Sequence, residues 1–253
     1  MYEKTIQGFV KLSEQKAYAV RYKTSAFFIS TIFAGAYIGL GIILIFSVGS
    51  DIDPAYQKLI MGASFGIALT LVVFAGSELF TGHTMYMSFG VLQDAVKWRD
   101  LWCVWTVSWL GNLVGSVLLA MLFFIGGGAE TLAGTDSLLQ NVAIYKTNSS
   151  ISELIARGIL CNFLVCLALW MSARVDSDIA KCVVIFWCLF AFIASGYEHS
   201  VANMTLLSIA FLSQHNDAIS IFGVLHNLTW VSVGNIIGGA LFMALGYWKA
   251  NQQ

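Results

Sequence analysis

Two short polar clusters interrupt long apolar runs, and they hold the residues best suited to chemistry. Ser195 to Met204, SGYEHSVANM, places Glu198 and His199 inside the apolar run from Cys182 to Leu212. Imidazole changes charge most readily near neutral pH, so His199 suits a pore in which it offers a hydrogen bond or a transient positive charge to an anion. The alternative is a buried histidine satisfied by Glu198 or a carbonyl, and residue type alone leaves both open. The second cluster, Gly76 to Met87, GSELFTGHTMYM, holds Glu78, Thr81 and His83. Thr81 either bonds the imidazole across a pseudo-symmetric centre or satisfies its own loop. Glu78 and Glu198 resemble an acid/base pair at first sight, but a broken helix frees backbone N–H groups that a carboxylate can accept. They are read as loop supports. His83 stands at the start of a half-helix, where a structural role is expected, and His215 and His226 are expected at the surface or in packing.

Ionisable side chains at membrane depth mark a pathway or a pairing, and two interrupted apolar segments in corresponding halves of a chain point to a transport site. Half-helices that start after the breaks aim their positive dipole ends at the middle of the membrane, which favours an anion. Lys146 and Arg157 would add attraction at the mouth or simply be solvated. Asn112 and Asn162 lie in apolar spans, where an amide lines a pore or bonds across helices. Phe65, Leu69, Leu79, Phe80, Val165 and Phe192 suit apolar constrictions that shed hydrated ions, and equally suit a core.

These clusters sit in a chain of 253 residues that is 58% hydrophobic and 11% charged, with a single proline and a mean hydropathy of +0.78. Soluble domains carry about 25% charged residues, so this is an integral membrane protein. A net charge of −1 gives no reason to expect nucleic acid as a partner. The five cysteines lie in apolar stretches without metal-ligand spacing, so neither disulfides nor a metal site is expected.

Residues 1–23 read as an amphipathic, cytoplasmic N-terminal segment, either on the membrane surface or merely solvated, and residues 24–250 as one transmembrane domain. Uncharged runs give six spans. The second run, Leu59 to Gln93, is longer than one crossing requires and is expected to break around Gly76 to Gly82; the fifth breaks at the His199 cluster. Gly126 to Ser152 reads as a polar connection. Span three contains Gly111, Asn112 and Gly115, and span six Gly234, Asn235 and Gly238, a shared G-N-x-x-G pattern. The expected fold is therefore all-α, with six transmembrane helices as a 3+3 inverted repeat (halves near 24–129 and 153–250) and helices 2 and 5 interrupted. Lysine and arginine concentrate in the N-terminal segment, the second and fourth loops and the C-terminus, which puts both termini in the cytoplasm.

The stretches AGAYIGLGIILIF (34 to 46), MGASFGIALTLVVFAGSELFTGHT (61 to 84), WLGNLVGS (109 to 116), CNFLVCLALWM (161 to 171) and AFIASGYEHSVANMTL (191 to 206) together resemble the formate/nitrite transporter family, most closely its nitrite-channel branch. The resemblance implies a homopentamer with one pore per protomer and an aquaporin-like fold. It carries the family's central histidine to His199, its loop threonine to Thr81, its pore asparagine to Asn162 and its outer-vestibule lysine to Lys146. It also implies a cytoplasmic slit of Leu79, Phe80 and Val165 and an outer constriction of Phe65, Leu69 and Phe192. Formate-type members tend to carry Asn where this chain has His83, which leans toward nitrite.

The function expected is passage of nitrite and other small monovalent anions through the bilayer of the bacterial inner membrane, without enzyme chemistry or a cofactor. Proton coupling through His199 is part of that expectation. Formate and hydrosulfide are alternative substrates. Two rivals differ in kind: a membrane redox subunit with His83 and His199 as haem ligands, and a neutral-solute pore, for which the aquaporin asparagine-proline-alanine motif is missing.

Overall fold

The computed structural model describes residues 1–128, 132–134, 137–213 and 219–252. The chain is all-helical in these residues. His215 lies outside them.

Among the described residues, five helical stretches are long and apolar enough to cross a bilayer: Thr24–Ser50, Pro54–Ala75, Trp98–Ile125, Ile151–Ser172 and Ile221–Ala250. In chain order the helices are α1 (Glu3–Tyr22), α2 (Thr24–Ser50), α3 (Pro54–Ser64), α4 (Gly66–Ala75), α5 (Phe80–Leu92), α6 (Trp98–Ile125), α7 (Leu138–Asn148), α8 (Ile151–Ser172), α9 (Asp178–Ala194), α10 (Ser200–Leu212) and α11 (Ile221–Ile237). A π-helical turn, Gly238–Leu245, continues α11 into α12 (Gly246–Ala250).

The expected breaks are present, and both use the same device. Gly76 (φ 73°) ends α4 and Gly196 (φ 71°) ends the helix begun by α9, each in the left-handed region that only glycine enters without strain. Behind each glycine the chain closes with the same bond, Ser77 N–H to the Val72 carbonyl at 3.1 Å and Tyr197 N–H to the Phe192 carbonyl at 3.0 Å. Three residues later a new helix starts, α5 at Phe80 and α10 at Ser200.

The G-N-x-x-G glycines hold helices close. α2 packs along α6, and α8 along α11. A Cβ on Gly115 would lie 1.9 Å from the Ile32 carbonyl oxygen, and one on Gly238 2.5 Å from that of Ile159. Backbones meet there as small-residue membrane interfaces do.

Two elements depart from the sequence reading. The connection Gly126 to Ser152 contains α7, started by the Ser137 hydroxyl accepting from Gln140 N–H at 3.2 Å. Its buried face, Leu139, Gln140, Ala143 and Thr147, packs inward. The N-terminal segment is also a helix, yet its apolar stripe is covered by protein: Ile6, Phe9 and Val10 are buried, and the Phe9 ring stacks on Tyr86, Phe89 and Trp170 at 5.1, 5.9 and 5.8 Å. Aromatic residues on α5 and α8 supply the apolar surface that covers that stripe.

Candidate functional site

The two breaks face each other, and each is clamped by the asparagine of its G-N-x-x-G pattern. Asn112 on α6 accepts from Phe80 N–H at 2.9 Å and donates to the carbonyls of Thr31 (2.7 Å) and Glu78 (3.0 Å). Asn235 on α11 accepts from Ser200 N–H at 2.9 Å and donates to the carbonyls of Gly158 (2.8 Å) and Glu198 (3.0 Å). The glutamates' own N–H groups reach the neighbouring spans, Glu78 to the Ser30 carbonyl and Glu198 to that of Arg157, both at 3.3 Å. The N–H groups of Glu78, Phe80, Glu198 and Ser200, freed by the breaks, thus find partners inside the protein.

The sequence reading gave this work to Glu78 and Glu198; the structure assigns it to Asn112 and Asn235, because an amide both donates and accepts where a carboxylate only accepts. The glutamates instead hold side chains. Glu78 Oε1 pairs with Lys16 Nζ at 2.6 Å and its Oε2 meets His83 Nε2 at 2.7 Å. Glu198 Oε1 pairs with Lys146 Nζ at 2.8 Å and its Oε2 accepts from Asn203 Nδ2 at 2.5 Å. Each carboxylate therefore takes one lysine and one donor five residues along its own half-helix.

Between the breaks His199 Nε2 lies 3.1 Å from Thr81 Oγ1, both fully or nearly buried. Ala202 N–H donates to His199 Nδ1 at 3.1 Å. With Nδ1 occupied as an acceptor, the neutral ring carries its hydrogen on Nε2 and donates to the threonine. Thr81 keeps its own hydroxyl proton for a third group. The Phe192 ring stacks on the imidazole at 6.0 Å and meets Phe65 edge to face at 5.3 Å.

A cavity lies on either side of this centre. One, about 320 Å³, is lined by Leu69, Leu79, Lys16, Glu78 and His83. The other, about 160 Å³, is lined by Lys146, Phe192, His199 and Asn203. Phe65, Leu69, Leu79, Phe80, Val165 and Phe192 are all at most 4% exposed. Val165 lines neither cavity, and Phe80 lines a separate apolar groove with Trp105 and Trp109. Asn162 ties spans together, its amide donating to Thr84 Oγ1 at 2.8 Å and to the carbonyls of Asn235 (2.6 Å) and Thr81 (3.2 Å). Arg157 pairs with Glu153 at 3.4 Å, and His226 bonds the Ser149 carbonyl at 3.1 Å.

The architecture is one found before. A family model described as formate/nitrite transporter matches residues 3–249. The chain belongs to the formate/nitrite transporter family. The Escherichia coli K12 nitrite transporter NirC is 53% identical over 224 residues, covering 88% of this chain and 83% of that one. A solved chain described as an FNT family ion channel matches with a TM-score of 0.95 at 48% identity, over 98% of this chain and 99% of that one. A second, described as a pentameric formate channel with formate bound, matches at 0.76 and 28% identity, over 92% and 100%.

Within this family frame, sequence reasoning missed Lys16, Asn203 and the clamping roles of both asparagines. Lys16 had a signal: it lies three residues after Ser13 and four before Val20, both buried, on the inward stripe of α1. The haem reading loses one of its two ligands: both ring nitrogens of His199 are bonded inside the protein, whereas His83 is held by Glu78 at Nε2 only.

Proposed function

We propose that this chain is a nitrite channel that also passes related small monovalent anions, with one pore in each protomer of a homopentamer. The observation that carries the reading is the His199–Thr81 contact at 3.1 Å between two helix N-termini, with a lysine-bearing cavity on either side. The name and activity of the nitrite transporter relative agree with it.

The proposed architecture is six spans in two inverted halves. The duplicated clamp supports it: Asn112 and Asn235, Glu78 and Glu198, Lys16 and Lys146 do the same work in the same order. Both termini are assigned to the cytoplasm of a bacterial inner membrane, so α1 and Lys16 mark the inner cavity and Lys146 the outer one. The pentamer is supported by the pentameric neighbour and by the bare flank of α6, where Leu110, Leu118, Leu122 and Ile125 are 47–78% exposed. Such a surface requires lipid or another protomer.

An anion enters beside Lys146, whose charge is balanced by Glu198 and whose ammonium offers a remaining donor. It sheds water at Phe65 and Phe192, while Leu69 faces the inner cavity, and meets the Nε2–H and hydroxyl of His199 and Thr81 between the positive ends of α5 and α10. A proton acquired here turns nitrite into nitrous acid, which crosses the slit at Leu79, Phe80 and Val165 without the desolvation cost of a charge. For His199 to supply that proton, the bond from Ala202 to Nδ1 must open while the ring is charged.

Nitrite influx into proteoliposomes at several pH values, with formate, chloride and hydrosulfide as competitors, tests this. His199→Asn should change the pH dependence of flux. Absence of anion flux in vesicles holding folded protein refutes the function, and an unaltered pH profile in His199→Asn refutes the proton step.

A further inference from the structure

The two carboxylate clamps differ in one respect. Asn203 supplies the second donor to Glu198, and His83 supplies it to Glu78. An amide N–H does this work in one half, so the clamp needs nothing more than a donor. Imidazole brings a second nitrogen. Because a carboxylate only accepts, the neutral His83 ring must carry its hydrogen on Nε2, toward Glu78 Oε2 at 2.7 Å, leaving Nδ1 with a bare lone pair. That Nδ1 is buried and has no protein partner. The ring is held against Phe27 at 5.8 Å and Tyr86 at 6.2 Å, and it lines the 320 Å³ cavity beyond the slit. Ser172, 7% exposed, lines the same cavity, and its Oγ is also buried and unpartnered. A buried polar atom without a partner costs free energy, and here the two residues that carry such atoms line one cavity with Lys16, Glu78 and Lys181.

We infer that His83 is the inner proton acceptor of the pore: nitrous acid leaving the slit gives its proton to His83 Nδ1, and nitrite is released into the cavity beside Lys16. This rests on the nitrite reading above. The O–H bond of nitrous acid breaks with its electron pair left on nitrite, an N–H bond forms at Nδ1, and the imidazolium is balanced through Nε2–H by Glu78. The proton then leaves to water on the α1 side, and nothing is oxidised or reduced. The charged and titratable groups around the ring are Glu78 from the break, Lys16 from α1, Tyr86 from α5 and, across the cavity, Lys181 from α9. The packed faces of α2, α6 and α8 contribute Phe27, Trp105 and Leu169 with Ser172, none of them charged. Ser172 is placed to steady the departing anion. The charge left after transfer is confined to one ion triad, Lys16, Glu78 and His83.

The test is His83→Asn in the full chain, because Asn keeps a donor for Glu78 as Asn203 does for Glu198 and removes only the acceptor. Nitrite flux is followed in right-side-out and inverted vesicles while the α1-side pH is stepped between about 5 and 8. Wild type should slow as the α1 side is acidified and Nδ1 fills. His83→Asn should lose that response and run slower by roughly tenfold or more, a modest contribution for a positioned proton-transfer group. Wild-type flux and α1-side pH response retained in His83→Asn overturn the inference alone; no nitrite flux in wild type overturns the pore reading with it. Solid-state NMR of wild type labelled in His and Glu gives an independent reading that does not depend on the variant's folding. The histidine coupled to the Glu78 carboxylate should gain a proton on Nδ1 as the α1 side is acidified, and a ring that stays neutral overturns the inference.

Discussion

Replacing Asn112 by leucine keeps the side chain's size and deletes all of its bonding. Three buried groups lose their partner at once: Phe80 N–H (2.9 Å) and the carbonyls of Thr31 (2.7 Å) and Glu78 (3.0 Å). An unsatisfied buried group costs about 1–3 kcal/mol, whereas hydrogen bonds inside membrane bundles average nearer 0.6 kcal/mol. Between the membrane average and the low end of the range for an unsatisfied group, three losses amount to about 2–3 kcal/mol. For a chain of this length that lowers the unfolding midpoint by roughly 4–12 °C. Asn235→Leu should cost the same, since its partners, Ser200 N–H and the carbonyls of Gly158 and Glu198, repeat the set. The two clamps share no partner, so the double variant should lose the sum. Reversible unfolding in mixed detergent micelles measures all three, with nitrite flux on the same preparations. A midpoint for Asn112→Leu within experimental error of wild type would refute the clamp argument, and strong coupling in the double variant would refute the independence of the two breaks.

Further outcomes follow from other contacts. Lys146→Ala strands Glu198, whose side chain is 2% exposed, and should cost about 3–5 kcal/mol; Lys181→Ala, which breaks the open pair with Asp178 (29% and 73% exposed), should stay within about 0.5 kcal/mol of wild type by the same unfolding measurement. Gly115→Ala drives a Cβ toward the Ile32 carbonyl and should destabilise by about 1–3 kcal/mol, whereas Gly8→Ala, with nothing within 4 Å, should stabilise α1 by about 0.5–1 kcal/mol. The bonds from Gln7 and then Asn251 hold the Glu3 carboxyl below its ordinary value. A lowered folded value means this tie between the chain ends is present above the ordinary glutamate range and is lost as pH falls through the folded value. Hydrogen exchange over residues 246–252 should rise there in wild type and be insensitive to that acidification in Glu3→Gln.

Much of this was legible in the sequence because the membrane imposes simple rules. Uncharged run lengths located the five stretches long and apolar enough to cross a bilayer among the described residues, and Gly76 and Gly196 with their following polar residues located the breaks. The shared pattern around Asn112 and Asn235 was visible too, but not its use: a sequence shows that an amide lies in a span, whereas only the packing shows that it reaches three groups across 32 to 81 residues. The carboxylates were misassigned for a related reason. Glu78 and Glu198 sit next to freed N–H groups in sequence, yet the backbone turns those groups toward α6 and α11 and the carboxylates toward the lysines. Lys16 escaped notice because a lysine on an amphipathic helix reads as solvated until its face is known. α7 escaped because one turn of polar residues around Ser137 and Gln140 looks like a loop, although that pairing is a helix start.

The docking of α1 carries a consequence for the order in which the chain can be assembled. Its seat is built from residues made long after it: Tyr86 and Phe89, then Asp100, which Arg21 pairs with, then Trp170 and Arg174, and last Tyr247 and Asn251. α1 is therefore translated before every segment it packs on, and its seat is completed piece by piece. Phe9 gains Tyr86 and Phe89 when α5 arrives and Trp170 only with α8. The contacts of Tyr2 with Tyr247 and Asn251 come after those, so the helix that carries Lys16 to Glu78 is tied to residues at the two extremes of the described fold.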